Sequence, residues 1–234
     1  MIDTCVILAA GAGTRLREKA ESKPLCRVAG KPLIDHAIER LAAAGIARVI
    51  VTTGYRAEDI EAHLGSRDWP VTVETARTAD WRQPNSVSAL AAAPLLAGAE
   101  TLLVMCDHLV ERALYARMAA AGAGAGLRLG IDRRLGHDWV DPLDVTCVAT
   151  DGERIVAIGK EMAPHDCYDT GVFAVGAAFF AALSGLESPS ITEAVRALIE
   201  QGTALTVDCS DLDWIDVDDP KALAAANVWA GSFT

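Results

Sequence analysis

The sequence predicts a wound α/β fold: a mostly parallel, mixed sheet with helices on both faces and a small β-hairpin lobe. Apolar runs rich in β-branched residues alternate with segments of helical period, as strands and crossover helices require. A hairpin signal breaks that alternation in the second half, so part of the sheet must be antiparallel. The 234 residues, 51% of them hydrophobic, can bury a large core without disulfides or a structural metal, and residues 1–234 are expected to form a single domain.

The elements follow in order. Thr4–Leu8 reads as a buried parallel strand. Leu33, Ile34, Ala37, Ile38 and Leu41 recur at helical spacing between Pro32 and the stop signal Gly45, predicting a helix over 32–44. Strand 48–52, helix 57–64, strand 71–75, helix 86–96 and strand Thr101–Met105 complete the clearest βαβ pattern. The Ala/Gly stretch at 119–126 fits a helix end running into a turn. Residues 145–150 and 154–159 flank Asp151-Gly152 and predict the hairpin. A strand over 168–175, helix Ile191–Glu200, strand Ala204–Asp208 and a helix over 220–230 close the chain.

Composition removes several function classes. A net charge of −11 repels polyanions, so no nucleic-acid partner is expected. The six cysteines, at 5, 26, 106, 147, 167 and 209, form no C-x-x-C pair, which argues against a zinc ribbon or thioredoxin-like motif and for a reduced, cytoplasmic chain. No export signal precedes the first apolar run, and no run approaches the ~18 apolar residues of a membrane span, so membrane insertion is not expected.

After the first strand, Leu8, Ala9, Ala10, Gly11, Ala12, Gly13, Thr14 and Arg15 form a small-residue loop whose backbone N–H groups can approach a phosphate; a tight strand-to-helix turn would need glycine as well. Leu16 stands where a dinucleotide loop needs its third glycine, and no acidic residue ends the second strand, so an oxidoreductase reading fails. A P-loop is absent too. Of only five lysines, Lys19, Lys23 and Lys31 follow this loop; Lys19 and Lys31 read as solvated charges. Lys23 is expected to be held extended by Pro24, its ammonium aimed back at the loop.

Asp107 follows the fourth strand, at the edge where open α/β sheets bind ligands, as a metal ligand or as a cap of the next helix. His108 reads as a residue that orients a metal ligand or, preferentially, as a loop histidine, and no catalytic role is assigned to it. In Trp214-Ile215-Asp216-Val217-Asp218-Asp219-Pro220 the period of two puts Asp216 and Asp218 on one face, while Asp219 caps the last helix. With Asp107 the pair would make an all-oxygen site suited to Mg2+.

Residues 8–33, written L-A-A-G-A-G-T-R-L-R-E and then K-P-L-C-R-V-A-G-K-P-L, closely resemble the opening signature of sugar-phosphate nucleotidyltransferases. The resemblance continues through Asn85 to Ser88, Asp107, Gly159-Lys160, Tyr168 to Phe173 and Trp214 to Pro220. Asp107-His108, Ile158-Gly159-Lys160 ahead of D-T-G-V-F, and the D-V-D-D-P ending are most similar to inositol-1-phosphate cytidylyltransferases.

That resemblance implies a Rossmann-like fold of nucleotidyltransferase type, with 1–125 mainly binding nucleotide and 126–234 mainly binding the acceptor and completing the metal site. It implies Mg2+-dependent coupling of CTP, or another NTP, to inositol 1-phosphate, giving CDP-inositol and pyrophosphate. Leu8, Ala9, Ala10, Gly11, Gly13 and Thr14 would line the nucleotide, and Asn85 and Ser88 would lie near base and ribose. Arg15 would face the β- and γ-phosphates and Lys23 the α-phosphate. Lys160 and Asp169 would meet the phosphate and hydroxyls of the small phosphorylated alcohol. Asp107, Asp216 and Asp218 would hold Mg2+. The product would pass to a membrane CDP-alcohol transferase, a module not expected within this chain.

The acceptor region is compact. Residues 132–144, with Arg133, Arg134, His137, Asp138 and Asp141, read as a lid over a polyol or as a surface loop. A phosphocholine acceptor would call for an aromatic cage, for which Tyr168, Trp139 and Trp81 are candidates. A sugar 1-phosphate is the other alternative acceptor, and a regulatory domain that binds NTP without turnover the rival of a different class.

Overall fold

A computed structural model describes residues 1–16, 19–138, 140–186 and 190–231. β1 (Thr4–Leu8) is buried along its whole length at the centre of a parallel sheet. The short strands β2 (Arg27–Val28) and β3 (Lys31–Pro32) form a separate antiparallel pair that leads into α1 (Leu33–Ala43). β4 (Arg48–Thr53), α2 (Ala57–Gly65), β5 (Thr72–Arg77), α3 (Asn85–Leu96) and β6 (Thr101–Met105) then follow close to the expected boundaries. β7 (His108–Val110) precedes α4 (Arg112–Ala121).

In the second half come β8 (Leu127–Asp132), β9 (Thr146–Asp151), β10 (Arg154–Lys160) and β11 (Cys167–Val175). They are followed by α5 (Ala177–Ser184), α6 (Ile191–Glu200), β12 (Ala204–Asp208), β13 (Trp214–Asp216) and α7 (Pro220–Gly231). The sequence reading anticipates neither β8, α5 nor the two-stranded pairings β2–β3 and β7–β13.

The main sheet has nine strands in the order β5-β4-β1-β6-β11-β8-β12-β10-β9. β5, β4, β1 and β6 are parallel, β11 runs against its neighbours, and β8 and β12 are parallel to each other. The hairpin lobe is continuous with this sheet: β10 meets β12 while β9 meets β11, so the sheet curls back on itself at that end.

Alternation along the strands divides the core. Cys5 and Ile7 of β1 face α1, α2 and α4, whereas Val6 and Leu8 face α3, α5 and α6. A third apolar cluster joins Leu16, Val28, Leu33, Leu109, Ile215 and Ala226, and so fastens the chain after the glycine loop to β7, β13 and α7. From β1 the chain steps outward to β4 and β5, then returns to β6 on the other side. The gap beyond the carboxyl ends of β1 and β6 is thus a topological switch point, where open α/β sheets offer a crevice. None of the described helices is long and apolar enough to cross a membrane.

Candidate functional site

Two adjoining cavities open at that switch point and share Asn85, Met105 and Asp107 as walls. One, of about 200 Å³, lies under the glycine loop and is lined by Leu8, Ala10, Gly11, Gly13, Lys23, Ser88 and also Trp81 and Gln83. The other, of about 290 Å³, is lined by Arg15, His108, Asp144, Lys160, Asp169, Asp216 and Asp218 among others. Of the remaining loop residues, Ala9 is buried in the core and Thr14 is exposed in the 3-10 turn Thr14–Leu16.

The two loop glycines differ. Gly11 has open space where a Cβ would stand, so its surface belongs to the cavity. Gly13 adopts φ +53°, and a Cβ there would sit 2.9 Å from Cδ of Lys23. Its missing side chain therefore gives Lys23 passage beneath the loop, in a backbone region that favours glycine. Lys23 itself is not extended, contrary to the expectation from Pro24. It opens the 3-10 turn Lys23–Leu25, closed by bonds from the Leu25 N–H to Ser22 O and the Cys26 N–H to Lys23 O. The turn fixes the stem of a lysine that is only 7% exposed.

The Lys23 ammonium donates to Asp107 Oδ2 at 2.6 Å and to Asp218 Oδ1. Burial works against its charge, but Asp107, Asp216 and Asp218 outweigh that and hold its pKa above the ordinary lysine value. Asp107 is correspondingly held well below the usual carboxylate range, its partial burial overcome by Lys23 and His108. It caps no helix; its side chain accepts from Lys23 and His108, and its carbonyl from the Val217 N–H.

β7 and β13 make the acids converge. Their antiparallel register sets Asp216 opposite His108, and Asp218 follows on the same side of a buried Val217. His108 is therefore a strand residue inside the site, which corrects the loop-histidine reading and favours the orienting one. Its Nδ1 lies 3.0 Å from Asp107 Oδ1, its ring stacks on Trp214 at 6.0 Å, and its other edge rests on Gly171. Gly171 has φ +75°, and a Cβ there would meet His108 Cδ2 at 2.7 Å, so only glycine admits the ring. Burial would lower the imidazole pKa, but Asp216, Asp107 and Asp169 push it up to about 9.

Carboxylate oxygens of Asp107 and Asp216, with a ring nitrogen of His108, lie within 4.8 Å of one another, as do oxygens of Asp144, Asp216 and Asp218. Asp216 belongs to both groups. Its Oδ1 is buried without a hydrogen-bond partner, and burial, with Asp107 and Asp218 nearby, raises its pKa to about 7. A buried carboxylate oxygen left without a donor, ringed by further acids, is what a hard cation would satisfy. These residues could hold a metal ion.

In the larger cavity, Arg15 reaches Asp218 at 2.5 Å and Asp144 at 2.6 Å, and Lys160 pairs with Asp144. Asp169 accepts from the Gly171 N–H at 2.7 Å, and burial pushes its pKa up to about 6. Sequence reasoning missed Gln83 as a wall residue, placed Trp81 only as a cage candidate for the acceptor, and touched Asp144 only as the end of the 132–144 segment. Asp144 belongs to no recognisable spacing, whereas Trp81 and Gln83 lie within four residues before the helix start at Asn85. Asp219 caps α7 as expected, accepting from the Ala222 N–H at 2.7 Å. Lys19 is exposed and Lys31 pairs with Glu39, as solvated charges do. The described cage candidates are not brought together: Trp81 is on the glycine-loop side and Tyr168 is buried beside His165, while Trp139 lies outside the described residues.

Residues 5–204 match the MobA-like NTP transferase domain. The chain is 32% identical to a bifunctional IPC transferase and DIPP synthase of Rubrobacter xylanophilus, over 97% of this chain and 52% of that protein. It is 28% identical to the protein of the same name from Aquifex aeolicus, over 97% and 51%. The chain thus spans about half the length of these curated relatives. Among solved structures, the inositol-1-phosphate CTP transferase of T. maritima superposes with a TM-score of 0.82 at 23% identity, covering 98% of this chain and 95% of that one.

Proposed function

The chain belongs to the MobA-like NTP transferase domain family, and from that premise we propose that it transfers a cytidylyl group from CTP to inositol 1-phosphate. A phosphate oxygen of the acceptor attacks the α-phosphorus in line; the bond to pyrophosphate breaks, and CDP-inositol is the product. The observation that carries this reading is the meeting of two cavities at Asp107, one under a glycine loop with Lys23, the other lined by Lys160 and Asp169. Residues 1–234 act in this reading as one domain, the first 125 serving the nucleotide and the rest the acceptor and metal.

The nucleophile is already an anion, so no general base is needed, and catalysis reduces to aligning two polyanions and neutralising their charge. Leu8, Ala10, Gly11 and Gly13 wall the nucleotide, with Ala9 and Thr14 contributing through the loop backbone. Asn85 and Ser88 lie near base and ribose, Lys23 faces the α-phosphate, and Arg15 the β- and γ-phosphates. Lys160 takes the acceptor phosphate. Asp169, ionised above about pH 6, accepts from acceptor hydroxyls. Asp107, Asp216 and Asp218 would hold Mg2+, which supplies further charge neutralisation to the phosphates. Asp144, Lys160 and Asp169 in the wall of the larger cavity match acceptor hydroxyls and phosphate, which favours a polyol over choline.

In this reading the chain acts in the cytoplasm, and a membrane CDP-alcohol transferase would consume the product; its six cysteines are buried free thiols. The deciding experiment offers CTP, UTP, dTTP, ATP and GTP against inositol 1-phosphate, phosphocholine and sugar 1-phosphates, with pyrophosphate release as readout. The highest turnover is expected with CTP and inositol 1-phosphate. Preference for another acceptor would overturn the substrate assignment, and tight nucleotide binding with no release under any pairing would make the chain a non-catalytic nucleotide-binding regulator.

A further inference from the structure

Resting on the reading of Arg15 and Lys160 as phosphate-facing cations, we propose that Asp144 is a positioning residue that holds both until phosphates replace it. Its two oxygens are divided between them: Oδ2 forms an ion pair with Arg15 Nη2 at 2.6 Å, and Oδ1 accepts from Lys160. The three residues come from separate segments: the turn after the glycine loop, the loop before β9, and the last residue of β10. Asp144 is thus the side chain that ties the glycine-loop cation to the hairpin cation.

Its place is built. The Asp144 and Val145 N–H groups both donate to Asp141 O, at 3.1 and 2.9 Å, and the Leu143 N–H donates to Asp141 Oδ1 at 2.9 Å. Lys160 pairs with Thr146 across the hairpin, which sets its ammonium beside this turn. Asp144 also stands within 4.8 Å of the Asp216 and Asp218 carboxylates, where a further negative charge is costly without compensation. Arg15 and Lys160 supply that compensation. Both cations have side chains more than half exposed, at 52% and 58%, whereas that of Asp144 is 22% exposed. Ion pairs of such exposure are weak and readily exchanged. A polyphosphate or phosphate monoester, carrying more charge and more acceptor oxygens than one carboxylate, wins the exchange. The carboxylate therefore keeps two mobile cations aligned and charge-balanced in the empty site, at the cost of competing with the ligands that displace it.

The test measures anion binding without metal and without turnover. Titration calorimetry in EDTA compares inorganic pyrophosphate, then inorganic phosphate, on the wild-type chain, Asp144→Asn and Asp144→Glu. Loss of the competing charge is expected to tighten pyrophosphate binding about 3- to 10-fold in Asp144→Asn, with Asp144→Glu staying near wild type. Adding Arg15→Ala to Asp144→Asn should cancel the gain. Unchanged or weaker binding in Asp144→Asn, or a gain that persists without Arg15, would overturn the proposal; a carboxylate serving as a metal ligand would leave metal-free affinity unmoved and weaken Mn2+ binding instead. Circular dichroism confirms that each variant is folded. A chain that shows the gain yet transfers no cytidylyl group would sink the functional reading alone, whereas normal transfer without the gain would sink this proposal alone.

Discussion

The two sides of the site hold their cations in opposite ways. Under the glycine loop, Lys23 is 7% exposed, threaded past Gly13 and gripped by Asp107 and Asp218. Across the cavity, the Lys160 side chain is 58% exposed, at the end of a hairpin strand, with one loop carboxylate as its partner. A buried charge keeps its geometry because leaving its partners is costly, while an exposed pair in water is cheap to break. On the proposed reading, the contrast teaches a division of labour: the cation assigned to the α-phosphate is set in advance by the sheet and its satellite core, and the groups assigned to the acceptor ride on the periphery.

The hardest test of that contrast is Asp107→Ala. It removes the acid on which Lys23 and His108 both converge, so pyrophosphate release is expected to fall at least ~100-fold, about 3 kcal/mol of transition-state stabilisation, with an unchanged circular dichroism spectrum. Turnover near wild type would mean that the buried side is not the catalytic one. Gly171→Ala probes the seam between the sides. Its Cβ would strike the His108 ring at a backbone angle that side chains resist, so a loss of roughly 1–3 kcal/mol is expected. At ~2–4 °C per kcal/mol for a chain of this size, thermal melts should show a fall of several degrees. An unaltered melting temperature would show that the ring yields freely and does not join the two sides.

The same contrast governs what could be read from the sequence. β1, β4 and β6 are continuous buried apolar runs, and the glycine loop and Lys23 sit in a contiguous signature, so the glycine-loop side was largely legible. β8 was not, because its short alternation of Leu127, Leu129 and Ile131 follows directly on an Ala/Gly run and carries glycine rather than a β-former at 130 on its other face. α5, Ala-Ala-Phe-Phe-Ala-Ala-Leu-Ser, has no polar face to mark a period. The approach of Asp216 to His108 depends on two strands of three residues, more than a hundred positions apart, whose pairing no local pattern encodes. Asp144 acquires meaning only when Arg15 arrives from the far end of the chain.

Lys160→Ala sharpens the comparison from the exposed side. The KM for inositol 1-phosphate should rise about tenfold, ~1.4 kcal/mol, while the KM for CTP changes little. An equal rise in both would show that the hairpin cation serves the nucleotide as well, and the division of labour would dissolve.

The smallest expected effect is a pH dependence confined to the acceptor. Burial raises the Asp169 pKa from 3.8 to about 6, against the Gly171 N–H bond that favours the ionised form. The folded chain thus holds this proton more tightly than the unfolded one. The contribution to stability is fully present below about 3.8 and is lost as pH rises through about 6. On the proposed reading function runs the other way, because only the ionised carboxylate would accept from acceptor hydroxyls at both oxygens. Lowering the pH through about 6 should therefore raise the acceptor KM a few-fold more than that for CTP. In Asp169→Asn, which cannot titrate, the acid limb should disappear from the acceptor profile and the folded state should lose the corresponding dependence of stability on pH. An acid limb that persists unchanged in this variant would assign the titration to another group and detach Asp169 from the acceptor side.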